Sequence, residues 1–382
     1  MRPLPLIIIL MVLDHVAFNG SRVTVTLFAI NQGASALTVG ILMAMYALLP
    51  ALLSVTAGRW VDRGGLQRPL LLGSAGVCVG ILLPFLFPGL VILYATSVIV
   101  GVSFMLINVA AYHAVGELST PEDRPINFSY VALGYSTSSF IAPVLSGVGI
   151  DHFGHRVTFL LLALFTVLPI LALSMRQIPL PIAKPHTEGA RAGEVFDLLR
   201  DAELRRLFIT MAVLTVAWDV YNFAIPVHGT RIGLSASEIG IVMGTFAAAT
   251  FTVRLGMPFF VGKIKPWALL VISLLLSGLS FVGLAFAANV GVMMVLMFTL
   301  GLGLGAPQPM MLTLLHESAP PGRAGEALGL RTTLINGSQT IMPLVFGAAG
   351  AVLGMVPVFW VMGAALLGGG LFANRVRRMQ DK

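Results

Sequence analysis

Charge is scarce in this 382-residue sequence: 10% of its residues are Asp, Glu, Lys or Arg, against about 25% in soluble domains. So few charges exclude a chain that meets water on every side. Cysteine is nearly absent as well, Cys78 being the only one, which excludes an internal disulfide and a cysteine metal site. The alternating strands of about ten residues that a membrane barrel requires are missing. A Walker loop, an HExxH helix and a GxSxG elbow are missing too. The expectation is therefore a chain that is not an enzyme, binds no metal and uses no cofactor.

What is present is apolar sequence, 57% of the whole. A membrane-crossing helix needs about 20 mostly apolar residues. Twelve such runs can be read, at roughly 5–28, 36–57, 69–87, 90–112, 127–149, 157–175, 206–227, 236–260, 267–287, 290–314, 328–350 and 352–373. The first carries Asp14, His15, Asn19 and Arg22 and has no small-residue cleavage site, so it reads as a mature span rather than a signal peptide. The fold class expected is an all-α membrane protein with twelve transmembrane helices.

Orientation follows from the positive charges. With the amino terminus inside, 19 of the 23 Lys and Arg fall in inner loops or at inner helix ends, leaving Arg156 and Arg231 in outer loops and Arg22 and Arg254 within spans. The positive-inside rule then places both termini of this multi-pass chain in the cytoplasm; the membrane expected is the inner (plasma) membrane. The net charge of +7 is topology, and no nucleic-acid partner is needed to explain it.

The sequence repeats itself. A shift of 200 residues aligns GASALTVGILMAMYA (33–47) with GLSASEIGIVMGTFA (233–247), matching seven of fifteen positions. The same shift pairs Gly101 with Gly301, Glu117 with Glu317, Pro121 with Pro321, Pro143 with Pro343 and Gly147 with Gly347. Such a period marks duplicated architecture. The domains expected are an N-terminal six-helix half (1–175), a polar cytoplasmic loop (176–205) and a C-terminal six-helix half (206–382). Six crossings being even, both halves keep one orientation.

Two parallel six-helix halves, with a charged loop between spans 2 and 3, resemble the major facilitator superfamily of secondary transporters. In GRWVDRGGLQRP (58–69), Gly58, Asp62, Arg63 and Gly64 carry the likeness to the family signature GxxxDRxGRR, and Arg68 keeps one terminal cation. The second half keeps Gly256, Gly262, Lys265 and Pro266 in GMPFFVGKIKP and has no acid. The resemblance implies that Asp62 sits at the positive end of span 11, beside Arg331, and closes the inner side. A solvated topogenic loop is the alternative. In span 5, SSFIAPVLSG places Ser138, Ala142, Pro143, Ser146 and Gly147 where exporting members carry GxxxGPxxGG; generic packing of small residues explains the same pattern.

Polar residues inside spans carry the functional information, because a charge near the bilayer centre costs several kcal/mol unless it is paired or faces water. In span 1, His15, Asn19 and Arg22 fall within about 60° of one another, with Asp14 about 80° from Arg22. Span 7 has Trp218, Asp219, Tyr221 and Asn222, and spans 4 and 10 align Asn108 with Gln308. The resemblance implies that spans 1, 4, 7 and 10 line a central cavity, which makes these ten residues the candidates for substrate and proton binding. Ser97 stands where many proton-coupled exporters carry an arginine. The function expected is proton-coupled efflux of a small organic compound by alternating access, with the substrate, protons and the lipid bilayer as partners and a monomer as the working unit. Two alternatives stay open: a proton-coupled importer, and a soft-metal (copper) importer using Met11 beside His15 and Met310 and Met311 beside His316.

Overall fold

In lipid every backbone N–H and C=O has to be satisfied within the chain, and the computed structural model meets this with helices throughout. It describes residues 3–120, 123–175, 199–260, 266–318 and 324–380. In chain order the helices are α1 (Pro3–Asn31), α2 (Ala36–Gly64), α3 (Gln67–Leu86), α4 (Leu90–Leu118), α5 (Arg124–Ser174), α6 (Ala202–Arg231), α7 (Ala236–Phe260), α8 (Pro266–Leu284), α9 (Val290–Gly305), α10 (Pro307–Ser318), α11 (Ala324–Leu353) and α12 (Met355–Gln380). Among the described residues nine helices are long and apolar enough to cross a membrane. Large apolar side chains stand exposed along them, Leu52 at 69%, Val91 at 83% and Val361 at 64%. Surface of that kind suits acyl chains and not water.

Two sequence runs divide differently from expectation. Spans 5 and 6 fall in one continuous stretch, α5, which turns at Gly154 with φ 77° and ψ 166°. The connection between them is therefore tight and centred on Gly154. Span 10, expected as one helix, is two: α9 ends at Gly305 and α10 begins at Pro307. Pro307 and Pro309 have no N–H to donate, and proline obstructs the preceding turn. The corresponding α4 residues, Ile107 and Val109, leave that helix unbroken.

The 200-residue repeat is also a repeat of backbone. Of five glycines at positive φ among the described residues, four form pairs at that spacing: Gly33 (78°) with Gly233 (81°), and Gly154 (77°) with Gly354 (82°). The fifth, Gly65 at 75°, ends α2, its N–H bonding to the Val61 carbonyl at 3.1 Å. The left-handed region costs an L-residue about 1–2 kcal/mol, so the double glycine of GRWVDRGG is first of all a helix stop. Close packing repeats too. A Cβ on Gly101 would run into the Tyr46 carbonyl oxygen, and one on Gly301 into that of Phe246.

The chain forms two compact units, Met1–Thr187 with Gly229–Gly244, and Glu188–His228 with Thr245–Lys382. The first is built on α1 against α5 and α4, α2 against α4, and α3 against α4 and α5; the second on α8 against α12 and α9. Segment 229–244, which belongs to the C-terminal half by sequence, lies with the first unit.

Candidate functional site

One polar and aromatic cluster lies within the first unit, where α1, α4 and α5 meet. His15 Nδ1 bonds to Ser138 Oγ. The Ser138 hydroxyl spends its single hydrogen on the Tyr135 carbonyl at 2.9 Å, so the His15 proton belongs on Nδ1. Nε2 then accepts from Asn19 Nδ2 at 3.2 Å. The same amide reaches Ser139 Oγ at 3.4 Å. The imidazole stacks on Tyr135, with centroids 4.2 Å apart, and the Tyr135 hydroxyl donates to Asn108 Oδ1 at 2.5 Å. Phe18 stacks on Phe104 at 4.0 Å, and the Arg22 guanidinium lies 5.9 Å from the centre of the Phe18 ring. Four of the expected residues, His15, Asn19, Arg22 and Asn108, are thus brought together.

Asp14 is placed elsewhere. It is 2% exposed and turns toward α3, where Ser74 Oγ donates to its Oδ2 at 2.7 Å. Its Oδ1 has no hydrogen-bond partner among the described residues. A small cavity beside it is lined by Ile7, Leu10, Met11, Leu70, Ile107 and Leu173. Met11 faces this apolar space while His15 is engaged by Ser138. Among the described residues no group of three His, Cys, Asp or Glu is arranged to hold a metal ion; the side chains of Met310 and His316 lie outside the described residues.

The second unit holds a matching cluster. Tyr221 stacks on Phe246 at 3.9 Å, and Trp218 meets the same ring edge-on at 4.9 Å. In the first unit Phe18 meets Tyr46 edge-on at 5.8 Å, so the pair 18/46 is repeated as 218/246. Asp219, 8% exposed, accepts from Ser338 Oγ of α11 at 2.5 Å. Asn222 donates to the Trp218 carbonyl at 2.9 Å. Gln308 on α10 accepts from Arg254 on α7 at 2.7 Å, which gives that cation a polar partner within its span. Ser97 bonds within its own turn, to the Leu93 carbonyl at 2.9 Å.

The small residues of the α5 motif make close backbone contacts. A Cβ on Gly147 would collide with the Ala236 carbonyl oxygen, and one on Gly240 with that of Pro143. Ala142 is fully buried, and Ser146 Oγ donates to the Gly20 carbonyl at 3.1 Å. Of the residues expected to form the inner gate, Gly58 has nothing within 4 Å of where a Cβ would be, Arg68 is exposed and Arg331 half-buried. The side chains at Asp62, Arg63 and Gly64 lie outside the described residues, as do Gly262 and Lys265 altogether.

Sequence reasoning gave no site role to Ser74, Tyr135, Ser139, Phe246 or Ser338, although Ser139 stands in the quoted α5 motif and Phe246 in the quoted repeat. Each acts across a helix-to-helix contact, which periodicity along one helix does not encode. Ser138 stands in the quoted α5 motif, but as a small residue and not as a histidine partner.

Helices that cross a membrane, a duplicated half and buried polar clusters repeated in each define a multi-span membrane protein of duplicated design. The Major Facilitator Superfamily matches residues 7–338 and again 207–380. The chain belongs to that superfamily, and it is a transporter rather than an enzyme. Among curated relatives it is similar to the multidrug resistance protein MdtG of Salmonella paratyphi A, 25% identical over 91% of this chain and 87% of that protein. MdtG of Salmonella choleraesuis is 24% identical with the same coverage. Among solved structures, a POT family transporter in complex with a thioalcohol-conjugated peptide matches with TM-score 0.84 at 14% identity, over 100% of this chain and 97% of that one. A mutant of the nucleoside transporter NupG matches with TM-score 0.80 at 13% identity, over 97% and 99%. These two likenesses establish the fold: an all-helical major facilitator architecture.

Proposed function

We propose that this transporter exports a small organic compound in exchange for protons, working by alternating access as a monomer in the inner membrane with both termini in the cytoplasm. The observation that carries the coupling is Asp14. It is buried, with one neutral hydroxyl on one oxygen and no partner among the described residues on the other. A charge at such a place costs several kcal/mol unless it is paired. Taking up and releasing a proton there is therefore coupled to any movement that opens the site to water. Asp219, bonded to Ser338, is the second coupling carboxyl. The name borne by the MdtG relatives supports export of organic compounds. In the N-terminal half His15, Asn19, Arg22 and Asn108 supply polar and aromatic contacts for such a substrate, and in the C-terminal half Trp218, Tyr221, Asn222 and Gln308 supply theirs.

The test is transport by the purified protein in liposomes with a pH gradient imposed in either direction, across a panel of organic compounds. Export against a substrate gradient, driven by inward proton flow, is the expected result. Asp14→Asn should abolish this accumulation while sparing downhill exchange. Ser74→Ala should shift its pH dependence without abolishing it. Accumulation in the same direction as proton flow would make the protein an importer, and normal accumulation by both Asp14→Asn and Asp219→Asn would remove the coupling assignment.

A further inference from the structure

We infer that Asp151, three residues before the Gly154 turn, is a latch that fastens the start of α7 to α5 and has to release once in every transport cycle. The inference rests on the alternating-access reading. It begins from the first turn of α7, whose backbone N–H groups have no partner within the helix. The Ser235 N–H bonds to Glu238 Oε2 at 2.8 Å, and the Glu238 N–H returns to Ser235 Oγ at 3.2 Å, a reciprocal capping box. The Ile239 N–H reaches the Ser235 carbonyl at 3.1 Å. Two donors are left, and both go to one side chain 85 and 86 residues earlier in the chain. Ala236 N–H bonds to Asp151 Oδ1 at 3.2 Å and Ser237 N–H to Oδ2 at 2.8 Å.

Charge-assisted bonds at the positive end of a helix are the stronger kind. Partial burial by itself would raise the Asp151 carboxyl, but bonds from Ser237, Ser235 and Ala236 overcome it and hold the group below the usual carboxylate range. Its charge is thus in place at neutral pH. Below the latch the two backbones run against each other without side chains between them, through Gly147 on Ala236 and Gly240 on Pro143. Val144 fills the remaining space, its Cγ2 lying 2.9 Å from where a Cβ on Gly244 would be. At these glycines the face has no side chains to interdigitate, so it can part without repacking. The carboxylate is the polar fastening at its end.

The repeat singles the residue out. The 200-residue shift keeps Ser35/Ser235, Ala36/Ala236, Pro143/Pro343 and Gly147/Gly347, yet it pairs Asp151 with Ala351. The capping serine is common to both halves, since Ser35 Oγ accepts from the Thr38 N–H at 3.2 Å. Only one half carries the acid. A requirement of helix capping alone would have called for it in both.

The test uses the full chain in lipid nanodiscs, carrying Cys78→Ser and Val144→Cys, and measures the rate at which a soluble maleimide labels residue 144. Asp151→Ala should raise this rate about tenfold, and Asp151→Asn, which keeps one acceptor oxygen, should raise it less. Glu238→Ala removes part of the helix cap but not the latch and should leave labelling near the starting rate. Unchanged labelling in both Asp151 variants would overturn the inference. So would an equal rise in Glu238→Ala, which would reduce Asp151 to one more cap. No substrate or pH gradient is needed, so a failure of the export reading in the liposome assay is distinguishable from a failure of the latch.

Discussion

His15 shows how a few atoms fix a polar side chain within a membrane-spanning helix. Because Ser138 has a single hydrogen and gives it to a carbonyl, the imidazole donates through Nδ1 and offers Nε2 to Asn19. The ring is therefore held in one tautomer, with one edge on α5 and one face on Tyr135. Tyr135 in turn is pinned by Asn108 at 2.5 Å, so the orientation of His15 depends on a hydroxyl that touches it only through the stack. Tyr135→Phe keeps the stack and deletes the bond. It should lower unfolding stability by about 1 kcal/mol, measured by thermal unfolding in detergent, and raise KM for transport with little change in kcat. An unchanged KM would place the cluster outside the substrate path.

The helices owe their positions to a pattern that sequence displays openly and their contacts to one it hides. The long apolar runs, the glycines at 33 and 233 and the 200-residue register are all visible in one dimension, because insertion into lipid and tight turns impose local demands. Gly101 and Gly301 are visible as a pair, but their purpose is not: each admits a neighbouring carbonyl oxygen, of Tyr46 or of Phe246, to the place a Cβ would take. Gly101→Ala and Gly301→Ala should each destabilise by about 1–3 kcal/mol, whereas Gly337→Ala, with nothing within 4 Å, should be neutral or slightly stabilising. Thermal unfolding of the three variants checks this, and equal midpoints would contradict it. Asp14 shows the limit from the other side. Its angular place on α1 is legible, about 80° from Arg22, but a helical wheel does not say which neighbour occupies each direction. Here that neighbour is Ser74 of α3. The break between α9 and α10 is written in Pro307 and Pro309, and the apolar residues that continue on both sides mask it.

For the molecule as a whole, the inner gate that the family resemblance implies at Asp62 and Arg331 yields a second labelling prediction, on the inner side. If Asp62 clamps that side, Asp62→Asn should withdraw stabilisation from the state closed on the inner side, and a difference of about 1.4 kcal/mol shifts the ratio of states roughly tenfold. Cysteines placed on the inner cavity wall should then label faster, with Arg331→Ala adding little on top; unchanged labelling would leave the stretch a topogenic loop. The membership of segment 229–244 in the first compact unit bears on another question, that of dividing the gene. A cut in the polar stretch after residue 176 looks natural from the repeat, yet it parts Gly147 and Pro143 of α5 from the piece of α7, Ala236 to Gly240, against which they pack. The N-terminal fragment made alone would carry a bare strip of backbone and an acid with no helix to cap, a surface that quality-control proteases recognise. Made together in one cell, the two fragments should protect each other from degradation, and a split transporter would be an obligate pair of polypeptides rather than two independent ones.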